Sequence, residues 1–367
     1  MLKVSRRLDF CAKYDICMMD NEIIPHSRPL ISERDIEAVN SVLKSGQLSQ
    51  GHKVREFEGK LAHFIGKKKA AATSSGTAAL HLALLALDIK HGDEVIIPSF
   101  VCSAVLNAVN YTGATPVIVD IDPLTFNIST DAVKSAITGE TKAIVVPHMF
   151  GCSAELDKLI EVGIPIIEDC AQAIGADLKG EKVGSFGLMS VFSFYATKVL
   201  TSGEGGMVLC DSEDLISKIR DLRDYDNRDN YVVRYNYKMT DIQASFGLSQ
   251  LSNLGKFINR RRDIAVRYLE ELKTCSFSLP IRKEGKEHIY YRFIIKAKED
   301  ASVYLKKIQE RKVMCQRPVY IPLHVYLNLA GFPFADEAWK HAISIPIYPS
   351  LTEKEIEKVV AILREIF

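Results

Sequence analysis

The feature that most constrains the fold of this chain is a series of short apolar runs between residues 94 and 211. The runs are EVIIPSF, TPVIVDID, AIVVPHMFG, IPIIEDCAQ, MSVFSF and GGMVLCD, and stretches with helical spacing separate several of them. A strand that is apolar throughout is typical of a parallel sheet covered by helices on both faces. The sequence therefore predicts an α/β domain with a mostly parallel sheet between layers of helices.

Helical patterns flank this region on both sides. ISERDIEAVNSVLKSG predicts a helix capped by Ser32, and KVREFEGKLAHFIG predicts a second one. A long helical stretch begins with DIQASFGLSQ, and beyond it HIYYRFIIKA predicts a strand and TEKEIEKVVAILREIF a final helix. We therefore expect an N-terminal extension (residues 1–25), a large domain (26–245) and a smaller C-terminal α+β domain (246–367).

Charge and cysteine usage exclude several classes of function. The net charge of +1 gives no electrostatic reason to expect a nucleic-acid or membrane partner, and no apolar run approaches the roughly 20 residues that span a bilayer. The N-terminus has no apolar segment of the signal-peptide type. The spacing of the eight cysteines fits neither a zinc site nor a disulfide scaffold. We expect reduced thiols, no metal site and a cytoplasmic location.

Residues able to bind or react with a ligand follow three apolar stretches, KKAAAT, IPIIE and MSVFSF. Ser75, Gly76 and Thr77 begin an apolar helix, Asp169 follows IPIIE, and Lys198 lies in the loop after MSVFSF. Taken singly, these residues are equally well explained as a helix cap, an ion-pair partner and a structural lysine. Because ligands of such sheets bind beyond the carboxyl ends of the strands, the three features are expected at one site.

Together the three features match the requirements of pyridoxal 5′-phosphate (PLP). A helix N-terminus attracts the phosphate, a lysine amine forms a Schiff base with the aldehyde, and an acid pairs with the protonated pyridine nitrogen. That acid keeps the ring able to accept electrons from the substrate. Lys198 is accordingly interpreted as a reagent.

The sequence resembles the DegT/StrS family of PLP-dependent nucleotide-sugar aminotransferases, which have fold type I. The resemblance runs from IPHSRPLISERDIEAVNSVLKSG to the C-terminus. Its densest blocks are TSSGTAALHLAL, GDEVIIPSF, GATPVIVDID, IEDCAQAIGA, SFYATKVLTSGEGG and YNYKMTDIQASFGLSQL. It implies a large PLP-binding domain with a mostly parallel sheet and a smaller C-terminal α+β domain.

The resemblance also implies a role for individual residues. Lys198 would form the Schiff base and shuttle a proton between the substrate's α-carbon and C4′ of the cofactor. Asp169 would hold the pyridinium, and Gln172 would contact the ring hydroxyl. The implied phosphate ligands are Ser75, Gly76, Thr77 and Ser193.

Three further positions concern the neighbouring subunit and the substrate. Asn236 in YNYKM would reach the phosphate of the neighbouring subunit's cofactor, which implies a homodimer. Tyr320 and His324 in YIPLH resemble residues that line the sugar-nucleotide pocket, although a packed loop explains them equally well.

The chain departs from the family pattern at several positions. Cys102 stands where many members have an aromatic residue stacked on the cofactor, so ring packing differs or Phe100 takes part. Arg234 replaces a common glycine, and Lys238 replaces the family's usual arginine. A lysine cannot make the two parallel hydrogen bonds of a guanidinium, so any contact made at this position is altered. Relatives that dehydrate sugars carry histidine at the Schiff-base position, whereas this chain keeps Lys198.

The predicted function is transfer of an amino group from glutamate or glutamine to a keto-deoxysugar linked to a nucleoside diphosphate. PLP and its aminated form, pyridoxamine phosphate, would alternate as the cofactor. The alternatives are another PLP-dependent reaction on a nucleotide sugar, such as dehydration or a lyase step, and a non-catalytic relative with the same fold. His148 follows a predicted strand and is expected to be structural.

Overall fold

The computed structural model describes residues 23–281 and 283–367. The predicted extension, residues 1–25, therefore lies almost entirely outside the described residues. Its last part is fixed to the C-terminal region, because the Ile24 N–H donates to the Lys312 carbonyl at 2.9 Å.

Twelve strands form three sheets in the described part of the chain. They are β1 (Lys69–Thr73), β2 (Glu94–Pro98), β3 (Thr115–Val119), β4 (Thr141–Pro147), β5 (Ile166–Asp169), β6 (Asp177–Leu178), β7 (Glu181–Lys182), β8 (Met189–Ser193), β9 (Gly206–Cys210), β10 (Lys286–Glu287), β11 (Phe293–Lys296) and β12 (Ala342–Ile345). The central sheet has the order β1-β9-β8-β5-β4-β2-β3. Only β9 runs against its neighbours in this sheet, β1 and β8. The predicted fold class is confirmed.

Twelve α-helices pack around these sheets in the same described residues. They are α1 (Glu33–Ser45), α2 (His52–Ile65), α3 (Gly76–Ala86), α4 (Ser103–Thr112), α5 (Thr130–Ala136), α6 (Leu156–Ile160), α7 (Glu213–Leu222), α8 (Asp241–Glu271), α9 (Ala301–Glu310), α10 (Leu323–Tyr326), α11 (Pro333–His341) and α12 (Glu353–Ile366). Ser32 caps α1 through a capping box, as its sequence predicts.

Both faces of the central sheet are buried. In β1, Ala71 faces the core formed with α3, α4 and α7, whereas Ala70 and Ala72 face the core formed with α2 and α8. Successive side chains of a strand point to opposite faces, so a strand buried on both sides must be apolar throughout. This requirement explains the continuous apolar runs of the sequence.

A separate core lies under the C-terminal residues. The antiparallel pair β11–β12 packs with α9, α12 and the second half of α8, around large side chains that include Tyr268 and Phe293. The first half of α8 packs on the central sheet through Leu254 and Phe257. The predicted border at residue 245 falls in the first turn of this helix, and the domain division stays a prediction.

Two further findings bear on the excluded classes. Among residues 23–281 and 283–367, no helix combines the length and the apolar character needed to cross a membrane. Six cysteines lie in these residues, and all six are free thiols. Cys11 and Cys17 lie outside the described part, and the cytoplasmic location stays a prediction.

Candidate active site

The N-terminus of α3 has unused hydrogen-bond donors. Ser75 caps this helix, since its Oγ accepts the Ala78 N–H at 3.1 Å. The N–H groups of Gly76 and Thr77 precede the helical hydrogen-bond ladder, and within the described residues neither has an acceptor. Unused N–H groups at the start of an 11-residue helix favour an anion such as a phosphate.

Close backbone packing brings Ser193 to this helix start. A Cβ on Gly76 would lie only 2.8 Å from the Cβ of Ser193, and a Cβ on Gly206 would overlap the Ser75 carbonyl. Gly206 pairs with Ser193 across β8 and β9. Glycine is required at both positions because the chains approach so closely. The four predicted phosphate ligands thus share one place, and Gly206 is a contributor that the sequence reasoning missed.

Strand β5 ends in two consecutive carboxylates that face opposite ways, as alternation along a strand requires. Glu168 is fully buried and accepts N–H groups from Gly184 at 2.6 Å, Phe186 at 2.8 Å and Gly187 at 2.6 Å. Burial alone would raise the pKa of Glu168, but these hydrogen bonds and the one from His148 keep that pKa below its ordinary value. Glu168 therefore anchors the glycine-containing loop beside the strand.

His148 completes this buried hydrogen-bond network. Its Nδ1 accepts the Ala154 N–H at 3.1 Å, so the ring proton lies on Nε2, which is 3.0 Å from Glu168. The potential ligand atoms of His148, Glu168 and Cys170 lie within 4.8 Å of one another. However, burial raises the pKa of the Cys170 thiol well above its ordinary value, and Nδ1 of His148 is already engaged. The geometry is that of a structural network.

Asp169 points to the other face and has far fewer partners. Its Oδ1 accepts the Ala171 N–H at 3.0 Å. Burial raises the pKa of Asp169, an effect partly opposed by that N–H and by the charge of Lys198. A carboxyl group in this environment is stabilised as an anion by an added cation. The protonated ring nitrogen of PLP would supply such a cation.

Gln172 lies three residues after Asp169, in the turn that follows β5. Its Oε1 accepts the N–H of Phe150 at 3.0 Å, which fixes the side-chain amide. The two N–H bonds of that amide then remain to donate to a ligand oxygen. Among the described residues, no other partner of this amide is found.

Lys198 lies in a tightly held loop between β8 and β9. The Phe194 N–H donates to the Gly205 carbonyl and the Ser202 N–H to the Phe194 carbonyl, both at 2.9 Å. Nζ of Lys198 lies 5.2 Å from the ring centroid of Tyr291. Its charge influences the pKa values of Asp169, Tyr291 and Cys102. Lys198 therefore lies within electrostatic range of the other three side chains.

The structure distinguishes Cys102 from Phe100 at the predicted ring-stacking position. Phe100 is fully buried, where it stacks on Phe126 and meets the edge of Phe150. Cys102 precedes α4 and keeps exposed surface. Its thiol nevertheless lies in a recess where desolvation raises its pKa. Cys102 is thus the residue of this pair whose thiol lies within electrostatic range of Lys198 and Asp169.

The remaining predicted site residues lie farther along the chain. Asn236 is exposed, without a side-chain partner among the described residues, between Tyr235 and Tyr237, whose N–H groups donate to carbonyls at the end of α7. Tyr320 is 77 % exposed. His324 is buried, with Nδ1 bonded to Ser99 Oγ at 2.5 Å and Nε2 to Asp336 at 2.9 Å. Its ring therefore fastens the 320–324 loop to the end of β2.

The two substituted positions near Asn236 have partners within this chain. Arg234 pairs with Asp221 at 3.0 Å, and Lys238 pairs with Asp224 at 2.5 Å. Both cations therefore brace the segment that carries Asn236.

Tyr291 is a site residue that sequence reasoning missed. It is 6 % exposed. Burial would raise its pKa, but the charges of Lys198, Arg292 and Arg261 and a hydrogen bond with Thr197 lower it to about 8. A strongly perturbed pKa beside a reactive amine indicates a functional location. The stretch HIYYRF carries no pattern that marks this position.

We expect the cofactor-free protein to release one phenolic proton near pH 8, which ultraviolet titration of tyrosinate absorbance will detect. Because the folded pKa is lowered from an unfolded value of about 10, stability from this ionisation is present above pH 10 and lost as pH falls through 8. The full effect is about 2–3 kcal/mol. Tyr291→Phe should remove the step near pH 8, whereas Tyr304→Phe should keep it. A wild-type titration without this step would contradict the prediction.

Known proteins resemble the chain over almost its whole length. Residues 29–364 match the DegT/DnrJ/EryC1/StrS aminotransferase family. A GDP-perosamine synthase of Escherichia coli O157:H7 is 34% identical, with 94% of this chain and 98% of that protein covered. A GDP-perosamine synthase of Caulobacter vibrioides is 36% identical over 87% of this chain and 91% of its own length.

Solved structures agree with this assignment. The aminotransferase TlmJ from Streptoalloteichus hindustanus has a TM-score of 0.89 at 30% identity, covering 94% of this chain and 98% of that one. A protein described as a sugar aminotransferase from Streptococcus pneumoniae, in its PLP form, has a TM-score of 0.88 at 28% identity, with the same coverage. The chain belongs to the DegT/DnrJ/EryC1/StrS aminotransferase family and is a PLP-dependent enzyme of fold type I.

Proposed function

We propose that this enzyme transfers the amino group of glutamate or glutamine to the carbonyl carbon of a keto-deoxysugar linked to a nucleoside diphosphate. The observation that carries the proposal is the placement of Lys198, in the loop after β8, within electrostatic range of Asp169 at the end of the neighbouring strand β5. The similarity to proteins named GDP-perosamine synthase supports the choice of acceptor.

The residues present fit PLP. The unused N–H groups of Gly76 and Thr77, the Ser193 hydroxyl and the close glycine packing form a cradle for its phosphate. Asp169 would hold the ring nitrogen protonated, and the amide of Gln172 would donate to the ring hydroxyl. When bound, PLP supplies an aldehyde and an electron-accepting ring.

Lys198 does the acid–base work in this proposal. Its amine would hold the cofactor through the aldehyde and, when not so engaged, would be free to carry a proton. It would take the proton from the donor's α-carbon and deliver it to C4′, then reverse both steps with the sugar. The Cys102 thiol lies within electrostatic range of Lys198, and because burial raises its pKa it is not a competing nucleophile.

A pair of half-reactions tests the proposed function. The PLP form is mixed with L-glutamate or L-glutamine while its visible absorbance is followed, and the aminated form is then offered UDP-, dTDP- and GDP-linked 3-keto and 4-keto deoxysugars. We expect the donor to bleach the absorbance and one sugar to restore it. A sugar that loses water without gaining nitrogen would instead establish dehydration, and a donor without effect would overturn the proposal.

We further propose that the enzyme acts as a homodimer in which Asn236 completes the partner's site. Hydrogen bonds fix the backbone on both sides of Asn236, yet its side chain projects into solvent. The adjacent segment is unusually exposed for its composition, with Tyr231 at 93 % and Val233 at 63 %. A contiguous exposed apolar segment of this kind suits a subunit interface.

Mixed dimers test the role of Asn236. Asn236→Ala should weaken cofactor binding, and Lys198→Ala should be inactive. We expect activity to reappear when the two variants are unfolded and refolded together, because a mixed dimer then holds one complete site. If Asn236 acted within its own subunit, mixing would restore nothing.

For the acceptor, we propose that Tyr320 contacts the nucleotide sugar directly. Its ring is exposed, while its carbonyl is fixed by Trp339 Nε1 at 3.0 Å. His324 would contribute by holding this loop, because both its ring nitrogens already bond to Ser99 and Asp336.

A further inference from the structure

Two arginines near Lys198 have no carboxylate partner among the described residues. Arg261 is 3 % exposed, and its Nη1 donates to the carbonyls of Tyr290, Tyr291 and Ile347. Its Nε is buried without an acceptor. Burial lowers the pKa of Arg261 to about 10. A buried cation satisfied only by neutral carbonyls leaves the region with excess positive charge.

Arg292 is the second of these cations, and it is partly exposed. Its Nη1 lies 3.0 Å from Nε2 of His26. Burial and the charges of Arg292 and Arg261 hold the pKa of His26 well below its ordinary value, so the imidazole is neutral. The guanidinium thus rests on a neutral base, whereas arginines such as Arg223 pair with a carboxylate.

Arg292 and Lys198 approach the same aromatic ring, that of Tyr291. The Arg292 guanidinium is 5.3 Å from the centroid of this ring, and Nζ of Lys198 is 5.2 Å from it. The backbone N–H of Arg292 donates to the Phe150 carbonyl, and the Phe150 N–H donates to Gln172 Oε1. The phosphate cradle is formed by other elements, α3, β8 and β9, so the cofactor's phosphate does not account for this charge.

A small polar recess opens beside this guanidinium. Its polar lining is His26, Ser27, Thr197, Tyr291, Arg292 and Ser344. The adjoining recess shares Ser27 and Thr197 and contains Lys198 and Arg261. Hydroxyl donors next to a guanidinium that has no carboxylate partner among the described residues are suited to binding an anion such as a carboxylate.

We propose that Arg292, held in place by His26, binds the α-carboxylate of the amino-acid donor. This inference rests on the proposed aminotransferase function. The α-carboxylate is attached to the same carbon as the transferred nitrogen, so its receptor must lie beside the amine of Lys198. The planar guanidinium fork matches a carboxylate through two parallel hydrogen bonds. Arg261 adds long-range positive potential while its N–H groups hold the backbone of Tyr290 and Tyr291.

The test compares Arg292→Gln and Arg292→Lys with the wild type in the two half-reactions. For Arg292→Gln we expect the apparent dissociation constant of L-glutamate to rise about 10- to 150-fold, as the loss of charged hydrogen bonds predicts. For Arg292→Lys the dissociation constant of L-glutamate should lie between those of the wild type and Arg292→Gln, because lysine keeps the positive charge but cannot make two parallel hydrogen bonds. The affinity for the keto sugar and the rate of its half-reaction should be unchanged in both variants. Arg311→Gln, which removes an exposed arginine paired with Glu365, is the matched control.

A substrate analogue and a modification experiment separate the possible outcomes. The wild type should bind the α-carboxamide of glutamate as weakly as Arg292→Gln binds glutamate. Arg292→Gln itself should bind glutamate and the α-carboxamide with equal affinity. In the cofactor-free wild type, glutarate should protect Arg292 from phenylglyoxal, as peptide mapping will show; this measurement needs no variant.

Two results would overturn the proposal without touching the proposed function. One is unaltered glutamate binding in Arg292→Gln with both half-reactions intact. The other is weakened keto-sugar binding alone, which would assign the guanidinium to the diphosphate of the acceptor. Failure of both half-reactions in the wild type would instead reject the proposed function.

Discussion

Lys198→Ala is expected to lower turnover by about 10²- to 10⁴-fold or more, the range typical of a lost acid–base group, because it also removes the covalent nucleophile. The fold should survive, since backbone hydrogen bonds and the buried side chains of Val199 and Leu200 hold the loop. Steady-state amine transfer and thermal unfolding, measured on the same preparations, check both halves of this expectation.

Two comparisons make this result specific. Lys198→Arg keeps the positive charge but should be as inactive as alanine, because a guanidinium with a pKa above about 12 neither attacks an aldehyde nor releases a proton. Lys256→Ala removes an exposed lysine and should behave as wild type. Borohydride should fix PLP on the peptide that contains residue 198 in the wild type only. Wild-type turnover by Lys198→Ala would refute the assigned role.

The positions of Lys198 and Asp169 were predictable because both follow buried strands. An apolar run identifies such a strand, and topology then places the carboxyl ends of parallel strands at one edge of the sheet. The antiparallel direction of β9 was not predictable in this way, because a buried antiparallel strand has the same apolar pattern. Its direction depends on the loop of residues 194–205, which returns the chain beside β8.

Residues brought together by tertiary structure alone were harder to predict. His26, Tyr291 and Arg292 meet across more than 260 positions of the chain, and none lies in a motif of the predicted site. Likewise, Phe100 is buried against Phe126 and Phe150, which are distant in the sequence, whereas Cys102, the residue before α4, keeps exposed surface. Local pattern gives the type of an element; the partners of a side chain depend on packing between distant segments.

The environment of Asp169 leads to an expectation about stability as well as catalysis. Burial raises the pKa of this carboxyl in the folded protein. Stability contributed by the protonated form is therefore present below the unfolded pKa of about 3.9 and is lost as pH rises through the folded value. In the cofactor-free protein at neutral pH, Asp169→Asn should thus unfold at the same or a higher temperature than wild type.

Catalysis should change in the opposite direction, with turnover of Asp169→Asn falling about 10²- to 10³-fold, as when one fixed electrostatic group is removed from an active site. Cofactor binding should weaken about 10- to 150-fold, because a neutral amide cannot stabilise a protonated ring nitrogen. Asp263→Asn, an exposed change on α8, is the matched control. Cofactor titration, amine transfer and unfolding at pH 5 and pH 8 measure the three effects. If Asp169→Asn binds the cofactor and turns over like wild type, Asp169 does not face the cofactor ring. If the variant is instead more stable to unfolding but binds the cofactor more weakly, the protein keeps a destabilising buried carboxylate because the cofactor needs it.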